Sequence, residues 1–163
     1  MTPSDFIIRE IKPNDNQQIA KVIRNVLTEF DAPKVGTAYE DKATDEMFET
    51  YQKNKTAYFV VEYQQKIVGG VGFADLPGFE NLICELQKMY FLPIARGKGL
   101  GSKLISFCLS KAKEQGFKQC YLETMPYMDA ARALYAKNGF INLEKPMGNT
   151  GHYSCNVWML KNL

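Results

Sequence analysis

The chain has 163 residues, with 20 Lys and Arg against 18 Asp and Glu, a formal charge of +2. That length predicts one domain over residues 1–163, large enough to bury a core without disulfide or metal staples. Hydrophobic residues at 45% and charged residues at 23% exclude a disordered chain, and so small a net charge excludes a surface built to track nucleic-acid phosphates.

Residues 6–11 have a β-type pattern. Asn14, Asp15 and Asn16 offer capping side chains, and Ile19, Val22, Ile23, Val26, Leu27 and Phe30 follow at helical spacing. Pro33 and Gly36 predict a loop over 31–44, and a second helix over about 44–53 would bury Met47, Phe48 and Tyr51. Residues 57–63 and 66–76 are β-rich runs joined by Gln64-Gln65, a predicted hairpin, and 84–92 is a third such run ended by Pro93. Beyond it the pattern changes. Leu100, Leu104, Ile105, Cys108, Leu109 and Ala112 make one face of a helix that stops near Gly116. Residues 119–125 predict a strand, 130–138 a short helix closed by Gly139, and 140–144 and 153–161 two final strands. The order β-α-α-β-β-β-α-β-α-β-β predicts an α/β (α+β) mixed sheet, antiparallel first, with a parallel crossover in the middle.

Cys84, Cys108, Cys120 and Cys155 contain no C-x-x-C pair, which fits neither a zinc ribbon nor a redox dithiol, and His152 is the one histidine. No metal is expected. Phe6-Ile7-Ile8 is too short for a secretory core before Arg9 and Glu10, and no apolar run approaches the roughly 20 residues of a membrane span. These features predict a reduced, cytoplasmic protein with neither a membrane nor a nucleic-acid partner.

The most informative stretch is Pro93-Ile94-Ala95-Arg96-Gly97-Lys98-Gly99-Leu100-Gly101-Ser102-Lys103, between a strand and an amphipathic helix. Three alternate glycines permit a tight turn and close approach of a ligand. The unpaired N–H groups and positive dipole end of the following helix make an anion site, to which Arg96, Lys98 and Lys103 add charge. Neither the Walker spacing nor the dinucleotide fingerprint fits, because the required glycines would fall at Leu92 and at Ser102 or Leu104. Across 96–118 six cations face one acid, which suits a pyrophosphate with a further phosphate nearby, as on coenzyme A.

Arg96-x-x-Gly99-x-Gly101 resembles motif A of the GNAT superfamily of N-acetyltransferases, whose pattern is Q/R-x-x-G-x-G/A. Ala131-x-x-Leu134-Tyr135-x-Lys137-Asn138-Gly139-Phe140 is similar to the family's motif B, and the element order matches the family's fold. One departure is Met128, where the family often has Asn. The resemblance implies acetyl-CoA as co-substrate, with its pyrophosphate on amides from Arg96, Gly97, Lys98, Gly99, Leu100 and Gly101 to Ser102. It implies a splayed strand pair, with pantetheine against the backbone of Met89, Tyr90 and Phe91.

The implied reaction is direct acetyl transfer to an amine. A lysine-like amine has a pKa of about 10.4, so near pH 7 about one in a thousand is uncharged. Supplying the free amine therefore costs roughly 4–5 kcal/mol, which a base or desolvation offsets. Glu85 is the candidate base, four residues before Met89, whose N–H is the implied oxyanion donor. The competing reading of Glu85 is an exposed carboxylate paired with Lys88 or a neighbour. Tyr135 matches the tyrosine that protonates the leaving sulfur, against a packing role beside Leu134 and Phe140.

On the acceptor side, residues 28–50 hold seven acids and two lysines, which would draw a cationic amine or form a solvated acidic face. Phe30 and Tyr39 are candidate pocket residues, with Phe30 also completing the helix's apolar stripe. His152, with an unperturbed pKa of about 6.5, is a candidate acceptor contact or second base. The partner is expected to be a small-molecule or peptide amine, with a homodimer left open. A binding module that senses acyl-CoA without turnover is the alternative.

Overall fold

The computed structural model describes residues 2–163. The strands are Phe6–Glu10 (β1), Ala57–Tyr63 (β2), Lys66–Asp75 (β3), Ile83–Phe91 (β4), Gln119–Thr124 (β5), Ile141–Leu143 (β6) and Val157–Asn162 (β7). The helices are Asn16–Glu29 (α1), Met47–Thr50 (α2), Leu100–Glu114 (α3) and Asp129–Lys137 (α4). The order is the one the sequence predicts. One sheet runs β1-β2-β3-β4-β5-β7-β6, and its parallel pair, β4 with β5, is joined through α3.

Period-two side chains send the middle strands' residues to two separate cores. Phe59 and Val61 pack with α3 through Leu100, Leu104, Ile105 and Cys108. Tyr58 and Val60 pack with α1 through Ile19, Val22, Ile23 and Leu27. Helices therefore cover both faces of the sheet. The β2–β3 hairpin turns through Gln64 and Gln65 at φ 48° and 64°, the paired left-handed geometry that matches strand twist. No helix among the described residues is long and apolar enough to cross a membrane.

Two elements differ from expectation. The second helix shrinks to the single turn Met47–Thr50, preceded by a 3₁₀ turn over Lys42–Asp45. Its expected first residue, Thr44, instead donates its hydroxyl to the Ala38 carbonyl at 2.6 Å, a local bond that competes with helix propagation. The last strand starts at Val157 rather than at 153, because Ser154 bonds the 31–44 loop through its N–H to Gly36 and its hydroxyl to Val35.

Two irregularities in β4 position everything that follows. Its parallel pairing with β5 covers Ile83↔Gln119, Cys84↔Cys120 and Glu85↔Tyr121 and then stops, although β5 continues to pair with β7 up to Thr124. The two strands part after Glu85. On the other side, Gln87 is opposite Gly72 and Tyr90 opposite Gly70, so Lys88 and Met89 together face Val71. This is a bulge, with Lys88 at φ 48°.

Candidate active site

Beyond Glu85 the β5-facing edge of β4 is open along a segment that includes Met89, Tyr90 and Phe91. Lys88 and Met89 have register partners on neither neighbouring strand. A left-handed lysine costs about 1–2 kcal/mol and needs outside support. Tyr58 supplies it by donating its hydroxyl to the Lys88 carbonyl at 2.7 Å. The ring can lie there because β3 carries glycine beneath it. A Cβ on Gly70 would stand 2.8 Å from the Tyr58 hydroxyl oxygen, and one on Gly72 would stand 2.5 Å from its ring.

The glycine loop divides its labour. Gly97 and Gly99 have φ 70° and 75° with open space where a side chain would project, as a ligand cradle requires. Gly101 serves packing instead: its Cβ would meet Leu134 Cδ2 of α4 at 2.6 Å. Ser102, one residue further, accepts a hydrogen bond from Asn138 Nδ2 at 3.1 Å, a second tie between α3 and the end of α4. Leu100 is buried in the core.

Arg96 corrects the reading of a free phosphate-binding cation. Its guanidinium holds Glu29 at 2.6 and 3.0 Å, lies 5.4 Å above the Phe30 ring, and donates Nε to the Phe91 carbonyl at 2.9 Å. Lys98 and Lys103 make no ion pair among the described residues and keep their charge for an anion. The open strand edge, the two unobstructed left-handed glycines and these lysines together fit a phosphate-bearing, amide-rich cofactor such as acetyl-CoA.

Glu85 is 6% exposed, at the last paired position before the strands separate. It is neither exposed nor bonded to Lys88, which pairs with Asp41 at 3.1 Å. Burial pushes the Glu85 carboxyl up to about 7, with nearby Glu123 adding to the rise and the amide of Gln87 opposing it. A carboxylate that titrates near neutrality is suited to accept protons there.

Asp41 of the α1–α2 loop reaches His152 Nε2 at 2.7 Å as well as Lys88. Burial disfavours the charge on Asp41, yet the His152 hydrogen bond and the Lys88 ammonium hold its carboxyl below the usual range. Burial also disfavours charge on His152, and the bond to Asp41 overrides it, so the imidazole is raised above its ordinary value. With Nε2 engaged by Asp41, His152 does not present that nitrogen to an acceptor.

Tyr135 is buried at 6% exposure, with its ring edge-on to Phe140 at 6.1 Å. Its hydroxyl makes no side-chain hydrogen bond among the described residues, and burial pushes the phenol well above its ordinary value. It holds its proton at any working pH. Met128 fills the place of the family's Asn as a buried core residue, its sulfur accepting from the Thr124 hydroxyl at 3.7 Å, while Asp129 is exposed.

The acidic stretch is mostly committed internally. Glu29 binds Arg96, Asp45 binds Arg24, Asp41 binds Lys88 and His152, and Glu40 accepts from the Gly36 N–H. This corrects the picture of a free anionic surface. Tyr39 stacks under Arg24 and Lys34, and Phe30 under Arg96, so neither joins the cluster around Glu85. That cluster instead includes Gln87, Lys88, Asp41, Tyr51 and Glu123, none of which the sequence offered as a catalytic or binding residue. The glycines at 70 and 72 within a strand were the available signal for close tyrosine packing, and the one at 69 for Phe91.

A mixed sheet that parts after a buried carboxylate, with a glycine turn following the open strand, fits an acyl-CoA-type transferase site. Residues 23–140 match the profile of the Acetyltransferase (GNAT) family. The chain is 44% identical over 164 residues to the uncharacterized N-acetyltransferase YjgM of Escherichia coli (strain K12), covering 100% of this chain and 98% of that protein. Its fold is similar to a GNAT-family acetyltransferase of Staphylococcus aureus Mu50, with a TM-score of 0.83, 21% identity and coverage of 96% and 98%. It is also similar to yncA of Salmonella typhimurium, a putative acetyltransferase solved with its cofactor acetyl-CoA, with a TM-score of 0.73, 20% identity and coverage of 97% and 94%. The chain belongs to the acetyltransferase (GNAT) family. As a member it is an acetyl-CoA-dependent N-acetyltransferase.

Proposed function

We propose that the chain moves an acetyl group from acetyl-CoA to a primary amine of a small molecule or exposed peptide, by direct transfer in a ternary complex. The observation that carries this reading is Glu85, a buried carboxyl raised to about 7 at the point where β4 leaves β5. Acetyl-CoA supplies the activated acetyl thioester. The Glu85 carboxylate accepts the proton that an ammonium acceptor must shed before its nitrogen can attack. The Met89 amide, displaced from the ladder by the bulge, is the donor β4 offers to the carbonyl oxygen as it gains charge. As the new C–N bond forms and the C–S bond breaks, the Tyr135 hydroxyl gives its proton to the departing sulfur and is restored by the second proton that the nitrogen loses on becoming an amide. Amides from Arg96 to Ser102, with Lys98 and Lys103, hold the phosphates. Four free, buried cysteines accord with a reducing cytoplasm.

The test is thiol release from acetyl-CoA across a panel of amines. Turnover with at least one amine, lost in Glu85→Gln, is expected. Acetyl-CoA binding without amine-dependent thiol release would instead favour an acyl-CoA sensor.

A further inference from the structure

Glu85 and Gln87 lie on the same side of β4, two residues apart, and Gln87 Nε2 donates to Glu85 Oε1 at 2.6 Å. The other end of that amide is fixed from a different element. Tyr51, just past α2, donates its hydroxyl to Gln87 Oε1 at 2.7 Å. Room for the Tyr51 ring comes from Gly72, the register partner of Gln87, where a Cβ would stand 3.2 Å from Tyr51 Cε1.

The arrangement has a direction. Burial pushes the Tyr51 phenol well up, so it stays protonated and available to donate. Donation to Oε1 turns the amide's N–H toward Glu85. The flipped amide would set a carbonyl oxygen against the ionised carboxylate, which is repulsive. Resting on the reading of Glu85 as the base, we propose that Gln87, locked by the Tyr51 hydroxyl, is the positioning residue that holds the Glu85 carboxylate oriented and ready to accept a proton.

Other charges face Glu85 from several elements, and none of them makes this contact. Glu123 on β5 disfavours its ionisation, while His152 before β7 and Lys88 on the bulge favour it. Tyr121 on β5, Cys155 and Asp41 complete the surroundings, and all of these remain when Gln87 is changed. Burial drives the carboxyl upward and the Gln87 hydrogen bond pulls it back, to about 7. Without the amide, Glu85 would hold its proton through the neutral range and be spent as a base.

The experiment follows the Glu85 carboxyl carbon by NMR in protein carrying ¹³C-glutamate, titrated from about pH 5 to 9, its resonance assigned by its absence in Glu85→Gln. In Gln87→Met the midpoint is expected to rise by about one pH unit, which at pH 7 lowers the ionised fraction roughly fivefold. Tyr51→Phe should move it the same way by less, and it serves as the test alone if Gln87→Met fails to fold. A midpoint unmoved in the folded variants overturns the proposal, whatever their activity. A midpoint that moves as expected, with amine-dependent thiol release intact in Glu85→Gln, leaves the positioning role standing and overturns the reading of Glu85 as base.

Discussion

Glu85→Gln should cost the enzyme its activity and stabilise the protein at neutral and alkaline pH. In the unfolded chain Glu85 titrates near 4.5, and in the folded protein near 7. Between those values the native state retains a proton that the unfolded state has shed. Stability is therefore greatest below the lower value, falls as pH rises through the window, and is lowest above 7. At about 1.36 kcal/mol per unit, the ionised carboxylate costs roughly 3 kcal/mol once the window is passed. Glutamine has nearly the same shape and can still accept from Gln87 Nε2, but it never ionises. Urea unfolding at pH 5 and pH 8 on both proteins gives the comparison. Wild type should lose roughly 2–3 kcal/mol more than Glu85→Gln between the two pH values. Asp41, held below the usual range, titrates outside this window in both proteins, and the change in His152 on losing Glu85 is a smaller contribution, since Asp41 is its main partner. Equal pH slopes would refute the reasoning, because they would mean that the folded chain does not hold Glu85 protonated. A slope in the opposite sense would mean that the surroundings favour the carboxylate, as they do for Asp41.

At Gly101, substitution by Ala puts a Cβ 2.6 Å from Leu134 Cδ2, and overpacking of this kind costs about 1–3 kcal/mol in urea unfolding. Leu134→Ala in the same chain should relieve part of that loss, and purely additive losses would show that α3 and α4 do not meet there. Tyr135→Phe is expected to lower kcat about 10–100-fold with little change in the KM for acetyl-CoA, the scale of one hydrogen bond to a developing charge. Undiminished turnover would remove Tyr135 from the chemistry.

What the sequence displayed was the part of the fold governed by local chemistry. The apolar stripes of α1 and α3, the hairpin at Gln64-Gln65 and the glycine turn depend on residues within a few positions of one another. Their elements appear where spacing places them. The open backbone edge at Met89 and the left-handed turn at Gly97 and Gly99 lie where the sequence points. The site is illegible where side chains meet across the chain. Asp41 finds His152 111 positions away, Tyr51 finds Gln87 36 positions away, and Glu29 neutralises Arg96 across 67. Nothing near Lys88 announces a left-handed residue, since a lysine supplies none of the freedom by which glycine marks such a position. Gly101 misled in the opposite sense. It reads as the third glycine of a ligand loop, yet the atom that requires it belongs to Leu134 on another helix.

The position of the carboxylate follows from the same divergence that opens the strand edge. Along β4, Ile83, Cys84, Glu85 and Leu86 are buried, and Gln87 onward is half-buried. Glu85 is thus the last buried position on its own side of β4, and it adjoins the opening. A carboxylate at Gln87 would see more solvent and titrate closer to the ordinary range, leaving it ionised but weakly basic. One at Ile83, at the start of the parallel ladder, would be sealed from any acceptor. Only between those limits does a carboxyl combine an elevated pKa with access to an amine. The bulge at Lys88 and Met89 falls just beyond it, so the Glu85 carboxyl and the displaced backbone amide both lie at the opening. On the proposed reading, the β4–β5 parting gives an acceptor access to Glu85 and the β3–β4 bulge frees the Met89 amide, so a change that restored β4–β5 pairing past Glu85 would close the opening to both.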